Sequence, residues 1–155
     1  MSKKTPGTDN RVLRLCKLLN DHRVKYLLVG GVAANLHGTL RSTKDIDILV
    51  PKERANMAKL LSALSELPYG IAKEMDVEEL MSKPFTIVGD DPRVDILMVA
   101  GKINFEKANK GKRAKTYLGV RLPFVGFDDL ILSKQTGRLQ DLADLEVLLR
   151  PKKKL

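Results

Sequence analysis

Leu28-Val29-Gly30-Gly31-Val32-Ala33-Ala34-Asn35-Leu36-His37-Gly38 and, after Thr39 and Leu40, Arg41-Ser42-Thr43-Lys44-Asp45-Ile46-Asp47-Ile48-Leu49-Val50 form the stretch that decides how this chain folds. Tyr26 to Val29 is a short apolar run, which reads as a buried strand ending at Gly30-Gly31. Small residues from Val32 to His37 predict a helix that Gly38 stops. From Lys44 to Val50 polar and apolar residues alternate: Ile46, Ile48 and Val50 fall on one face, Asp45 and Asp47 on the other. That is the period of a strand.

Working toward the N-terminus, Val12, Leu15, Cys16 and Leu19 recur at helical spacing and predict a helix over 11–20, with Thr8 or Asp9 as its cap. Toward the C-terminus, Pro51 suits the first turn of a helix that continues through 55–67 on Met57, Leu60, Leu61 and Leu64. Pro68-Tyr69-Gly70 reads as a turn, 77–81 as a short helix and 85–88 as a strand. Asp90-Asp91-Pro92 reads as a tight turn that pairs this strand with 93–99 in a hairpin. The stretch 102–121 sets seven Lys or Arg against the single Glu106. Residues 120–125 read as a further strand, and 127–149 as two helices divided near Gly137. In the second of these, Arg138, Asp141 and Asp144 lie opposite Leu139, Leu142, Leu145 and Leu149. The simple reading is an Arg–Asp pair on the surface; the sharper one makes Asp141 part of an active site. The whole predicts one α/β (α+β) domain over 1–155: a mixed β-sheet flanked by helices, with a helical C-terminus. Its core spans about 10–149, with basic, flexible ends expected at 1–8 and 150–155.

Composition narrows the classes. With 155 residues, 43% apolar and 30% charged, the chain suits one folded domain, not a disordered polymer. The single cysteine, Cys16, excludes an internal disulfide and a cysteine-built zinc site, and reads as a small buried hydrophobe. His22 and His37 are the only histidines, which excludes a His-rich metal site. No apolar run reaches the ~20 residues that span a bilayer, and the basic start lacks the apolar stretch of a signal peptide. A cytoplasmic protein without a membrane partner is the expectation. The net charge of +9 favours anionic partners and counts against polycationic substrates. Low aromatic content, 5% with no Trp, counts against base stacking.

The chemistry lies in the acidic residues. Carboxylates at i and i+2 on a strand project from one face, roughly 7 Å apart at Cα. At that spacing each raises the other's pKa, so the pair implies a cation between them. Mg²⁺, with Mn²⁺ as the alternative, prefers such hard oxygen donors. Asp95, in the apolar Val94-Asp95-Ile96, could complete a two-metal site from a neighbouring strand. Gly30-Gly31 lets the backbone approach a triphosphate closely, and Arg41 and Thr43 could add a guanidinium fork and a hydroxyl. Taken singly, the glycines read as a turn and the polar residues as solvated surface. Taken together, three aspartates in strands of Ile, Leu and Val are costly without a cation.

Gly30-Gly31, then Asp45-Ile46-Asp47, then a lone strand aspartate resembles the pattern of the DNA polymerase β-type nucleotidyltransferase superfamily. Arg41-Ser42-Thr43 before the paired Asp resembles its minimal bacterial and archaeal branch, which includes components of toxin–antitoxin and abortive-infection systems. The resemblance covers about 26–99 and extends less specifically to Lys134, Arg138, Asp141 and Asp144. It implies that Asp45 and Asp47 bind the metals carrying a nucleoside triphosphate such as ATP. It implies that Asp95 shares the catalytic metal or accepts the acceptor's proton, that Gly30 and Gly31 hold the β/γ-phosphates, and that Lys134 lies near the nucleotide. One departure is that many members carry Ser where this chain has Gly31, so phosphate contacts fall to backbone N–H groups and to Thr43 or Arg41.

The function so implied is transfer of a nucleoside monophosphate to an acceptor hydroxyl, on RNA (above all tRNA) or on a protein. The acceptor must dock on this domain, on a cognate toxin or antitoxin partner, or on a second copy in a homodimer. The alternative is a catalytically silent binding protein of the same fold, an antitoxin or adaptor, or an RNA-binding module.

Overall fold

The computed structural model describes residues 9–39 and 42–150. Helix α1 (Asn10–Asp21) is capped by Asp9, whose carboxylate accepts from the backbone N–H groups of Arg11 and Val12. That satisfies two donors a helix start leaves free; Thr8, the other candidate cap, lies outside the described residues. Leu15, Cys16 and Leu19 are fully buried. Burial pushes the Cys16 thiol up to about 12, against a smaller opposing effect of its hydrogen bond with Tyr26, which leaves it an inert hydrophobe.

Strand β1 (Leu27–Val29) runs directly into helix α2 (Gly30–Leu36). The helix starts two residues before the small-residue run that predicts it, because Gly30 supplies a left-handed φ of 65° at the first position. Strand β2 (Ile46–Leu49) follows, then α3 (Arg54–Leu64), which begins three residues past Pro51. A 3₁₀ turn (Ile71–Glu74) and α4 (Val77–Ser82) lead to the hairpin of β3 (Phe85–Val88) and β4 (Val94–Leu97). The basic stretch is structured: β5 (Val99–Ala100), β6 (Ile103–Asn104), α5 (Phe105–Lys110) and β7 (Arg113–Tyr117). Strand β8 (Val120–Phe124) and helices α6 (Phe127–Ser133) and α7 (Leu139–Leu148) complete the chain.

Six strands make one mixed sheet in the order β3-β4-β2-β1-β8-β7. Strand β2 pairs with β4 in parallel and with β1 antiparallel, and β1 pairs with β8 in parallel. Leu28, Ile48 and Ile96 stand in register on one face and are all buried. The other face carries Val29, Asp47, Asp95 and Ile87 in one row, since partners in register share a face. No helix among the described residues is long and apolar enough to cross a membrane.

The sequence pattern is inverted at α7. Asp141 and Asp144, read as surface residues, are buried, while Leu139 is 85% exposed and Leu142 and Leu149 are also in solvent. Spacing located the two faces correctly but not which one turns inward. A buried cation on α6, described below, decides it. Leu139→Gln is therefore expected to leave stability within about 0.5 kcal/mol, whereas Leu15→Ala should cost about 2–5 kcal/mol, both measured by denaturant unfolding.

Candidate active site

Strands β2 and β4 bring two carboxylates side by side: Asp47 and Asp95 are direct partners in the parallel ladder, and their carboxyls are hydrogen-bonded. Asp45, just before β2, stands two residues from Asp47 on the same face. Burial first, then the charge of Asp95, the hydrogen bond with it and the charge of Asp45 push the Asp47 carboxyl up to about 7. The charge of Lys134 pulls the other way and does not offset them.

The glycine of the β1–α2 junction belongs to the same constellation. A Cβ at Gly30 would overlap the Asp47 carboxylate, and the positive φ disfavours any side chain there in any case. Gly30 thus serves backbone conformation and carboxylate packing at once.

Arg93 was not singled out in the sequence. Its guanidinium donates from Nε to Asp95 Oδ1 at 2.9 Å and from Nη2 to Asp95 Oδ2 at 3.3 Å, and Nε stands 3.7 Å from Asp45 Oδ2. The guanidinium thus partners two of the three carboxylates. The signal was available, since Arg93 precedes Asp95 by two residues and so shares its face. Arg11 was also missed. From α1 it donates to the backbone oxygens of Thr43 at 3.1 Å and Lys44 at 3.5 Å, which fixes the loop entering β2.

The C-terminal helices close the far side. Lys134, capping α6, is buried, with Nζ 3.3 Å from Asp141 Oδ1 and 2.7 Å from Asp144 Oδ2. Asp141 also accepts from Thr136 Oγ1 at 2.5 Å and from Arg138 Nε at 2.7 Å. Burial draws the Asp141 pKa upward, but the Thr136 and Arg138 hydrogen bonds and the Lys134 charge outweigh it and hold the carboxyl below its ordinary value.

These elements enclose a cleft of about 460 Å³. Gly30, Gly31, Thr43, Asp45, Asp47, Asp95, Lys134 and Asp141, all named from the sequence, line it. Arg41 lies outside the described residues. Asp144 sits behind Lys134, and His37 is elsewhere, its Nε2 2.8 Å from the Val125 carbonyl oxygen. Arg93, Arg138, Ser42, Lys44, Phe85, Leu97 and Gln140 complete the lining.

No family model matches the chain, and no curated protein matches it in sequence. Solved structures do match in three dimensions. The lincosamide antibiotic adenylyltransferase LnuA, with lincomycin bound, superposes with a TM-score of 0.56 at 16% identity, over 92% of this chain and 96% of that one. A Thermotoga maritima protein assigned as a nucleotidyltransferase gives 0.55 at 19% identity, over 90% and 91%. The chain has the nucleotidyltransferase fold.

Within that fold, the donors in the cleft suit a hard divalent cation: among the described residues they are carboxylate and other oxygens, with no imidazole or thiol. Among the described residues, no three such groups stand close enough to hold an ion as they are. Arg93 beside Asp45 and Asp95, and the raised pKa of Asp47, offset part of the clustered charge.

Two outcomes follow from this electrostatic arrangement. The unfolded chain releases the Asp47 proton near 3.8, whereas the fold holds it to about 7, so stability falls as pH rises between those values. Asp47→Asn removes that loss. In the absence of divalent metal the variant should melt above wild type at pH 8, the difference shrinking on acidification and vanishing below 3.8. Lys134→Met leaves two buried carboxylates without their cation and should lower unfolding free energy by about 3–5 kcal/mol, read by denaturant titration.

Proposed function

We propose that this chain is a Mg²⁺-dependent nucleotidyltransferase that moves a nucleoside monophosphate from a nucleoside triphosphate to an acceptor hydroxyl. The observation that carries the reading is the convergence of Asp45, Asp47 and Asp95 on the open end of one sheet face, against a glycine-initiated helix. Three carboxylates gathered at such cost to the protein are explained by a divalent cation and its phosphate cargo.

Asp45 and Asp47 would hold the metal, and Asp95 would share it; Mn²⁺ is chemically acceptable to the same oxygens. When bound, the metal supplies charge neutralisation on the phosphates and a lowered pKa for a coordinated hydroxyl. The residues of the chain do the rest. Gly30 and Gly31 admit the β/γ-phosphates close to the backbone, and Thr43 adds a hydroxyl from the loop before β2; a guanidinium from Arg41 would bind the same anion. Lys134, Arg138 and Arg93 balance the charge of the departing pyrophosphate. Asp95 takes the acceptor's proton as its oxygen bonds to the α-phosphorus and the α–β bridging bond breaks. Asp141 acts by positioning Lys134 and Arg138 beside the nucleotide.

RNA, with tRNA foremost, is the acceptor class that the +9 charge favours; a protein side chain, including that of a toxin–antitoxin partner, is the other macromolecular acceptor. The likeness to LnuA supports a small-molecule acceptor as the second reading. A silent binding protein of this fold would keep the cleft without turnover.

The test is label transfer. The protein is incubated with Mg²⁺, each α-labelled triphosphate in turn, and RNA or cell extract. Transfer that EDTA stops and that Asp47→Ala lowers by on the order of a hundredfold or more supports the enzyme. Equal labelling by wild type and variant, or none with any triphosphate, would sink it in favour of the binding protein.

A further inference from the structure

A second cavity, of about 490 Å³, lies at the opposite ends of the helices that frame the catalytic cleft. Helix α2 presents Gly30 and Gly31 to the cleft and Leu36 and His37 to the cavity; α6 begins at the cavity with Phe127 and is capped at the cleft by Lys134. Helix α7 starts at the cleft, beside Arg138 and Asp141, and reaches the cavity at Val147 and Leu148. At 1.5 Å per residue, the two openings are about 10–15 Å apart.

The cavity is lined by Arg113, Lys115 and Arg150 and, among the described residues, by no acidic side chain. Arg113 and Lys115 alternate with Ala114 on β7 and so share one face. Lys115 is held in place, its Nζ donating to the Leu36 carbonyl oxygen at 3.1 Å and standing 6.0 Å from the Phe124 ring centroid. Among the described residues Arg113 pairs with no carboxylate, while Arg150 reaches Glu146 at 3.5 Å on the outer rim. His37 meets Phe124 and Phe127 edge to face, at centroid distances of 5.2 and 5.7 Å. Phe127 keeps 37% of its surface exposed. Basic residues on an edge strand can serve only to deter sheet pairing. That role does not require them to converge on a cavity with an exposed aromatic ring at its wall.

We propose that this cavity binds a nucleoside phosphate, with the base against Phe127 and the phosphate between Arg113 and Lys115. Aromatic rings accept any base by stacking, and a guanidinium and an ammonium are the donors that phosphates select. As a nucleotide of an RNA acceptor, the ligand would reach the catalytic cleft over on the order of three to four stacked nucleotides at about 3.4 Å each. That placement rests on the transferase reading above; the binding itself does not. The sequence hides the site because its parts come from α2, β7, β8, α6 and the end of α7.

His37 and His22 are the only histidines, and His22 pairs with Glu66 away from the cavity. Their imidazole resonances therefore give a reporter and an internal control. The full chain, in EDTA, is titrated with adenosine monophosphate and separately with a fluorescein-labelled octaribonucleotide, followed by NMR and by fluorescence anisotropy. A saturable shift of His37 without one of His22 is expected. If both ligands produce it, the cavity takes a free nucleotide; if the oligonucleotide alone does, it takes RNA. The R113Q/K115Q double variant should weaken binding of the responding ligand by about tenfold or more. For RNA it should also flatten the salt dependence of log K by about 0.7, the value of one phosphate contact on a single strand. Phe127→Leu should weaken binding about fivefold or more. An unchanged His22 resonance shows that each variant is folded. RNA that binds without moving His37, equal binding by wild type and double variant, or no binding of either ligand overturns the proposal. Loss of label transfer with this binding intact counts against the transferase reading alone.

Discussion

Asp47 and Asp95 stand side by side in the parallel β2–β4 ladder, and two carboxylate charges at that separation cannot both persist without compensation. The surroundings answer this constraint from every side. Gly30 gives up a side chain to make room for the Asp47 carboxylate. Arg93, just before β4, pairs with Asp95 on that strand and reaches across to Asp45, and Asp47 retains its proton to about 7. Lys134 adds positive charge from the C-terminal helices. A sheet built only for stability would have an aliphatic residue at each of these positions, as its opposite face does with Leu28, Ile48 and Ile96.

The same constraint explains how the helical C-terminus is attached. Lys134 is too deeply buried to remain without counter-charge, so α7 turns Asp141 and Asp144 toward it. Leu139 and Leu142 of α7 then face solvent, while Leu148, at the far end of the helix, still packs against the core. Here the local preference of a helix for burying its apolar stripe yields to the stronger demand of a buried cation.

The sheet and the aspartates were legible in the sequence because a period of two carries both fold and site. Ile46, Ile48 and Val50 marked the buried face, and Asp45 and Asp47 therefore marked the open one. The β3–β4 hairpin was legible from Asp90-Asp91-Pro92, and it supplied Asp95. Arg93 was legible by the same period, since it stands two residues before Asp95. The orientation of α7 was not legible. Its two faces are equally clear on a helical wheel, and only the position of Lys134 on a separate helix distinguishes them. The second cavity was not legible either, since four phenylalanines in the whole chain gave no sign that Phe124 and Phe127 would meet His37 there.

An apolar interface tolerates sliding, because one leucine contact resembles the next. The Lys134–Asp141–Asp144 cluster does not. A slip of one residue would rotate α7 by about 100°, removing the two aspartates from Lys134 and bringing a neighbour such as Leu142 or Leu145 toward it. The helix therefore has a single seating on α6, indexed by charge like a key in a lock. Arg138 at its head and Leu148 at its foot inherit that indexing, and the cleft and the second cavity are held in fixed alignment by three side chains that line neither the sheet nor its core.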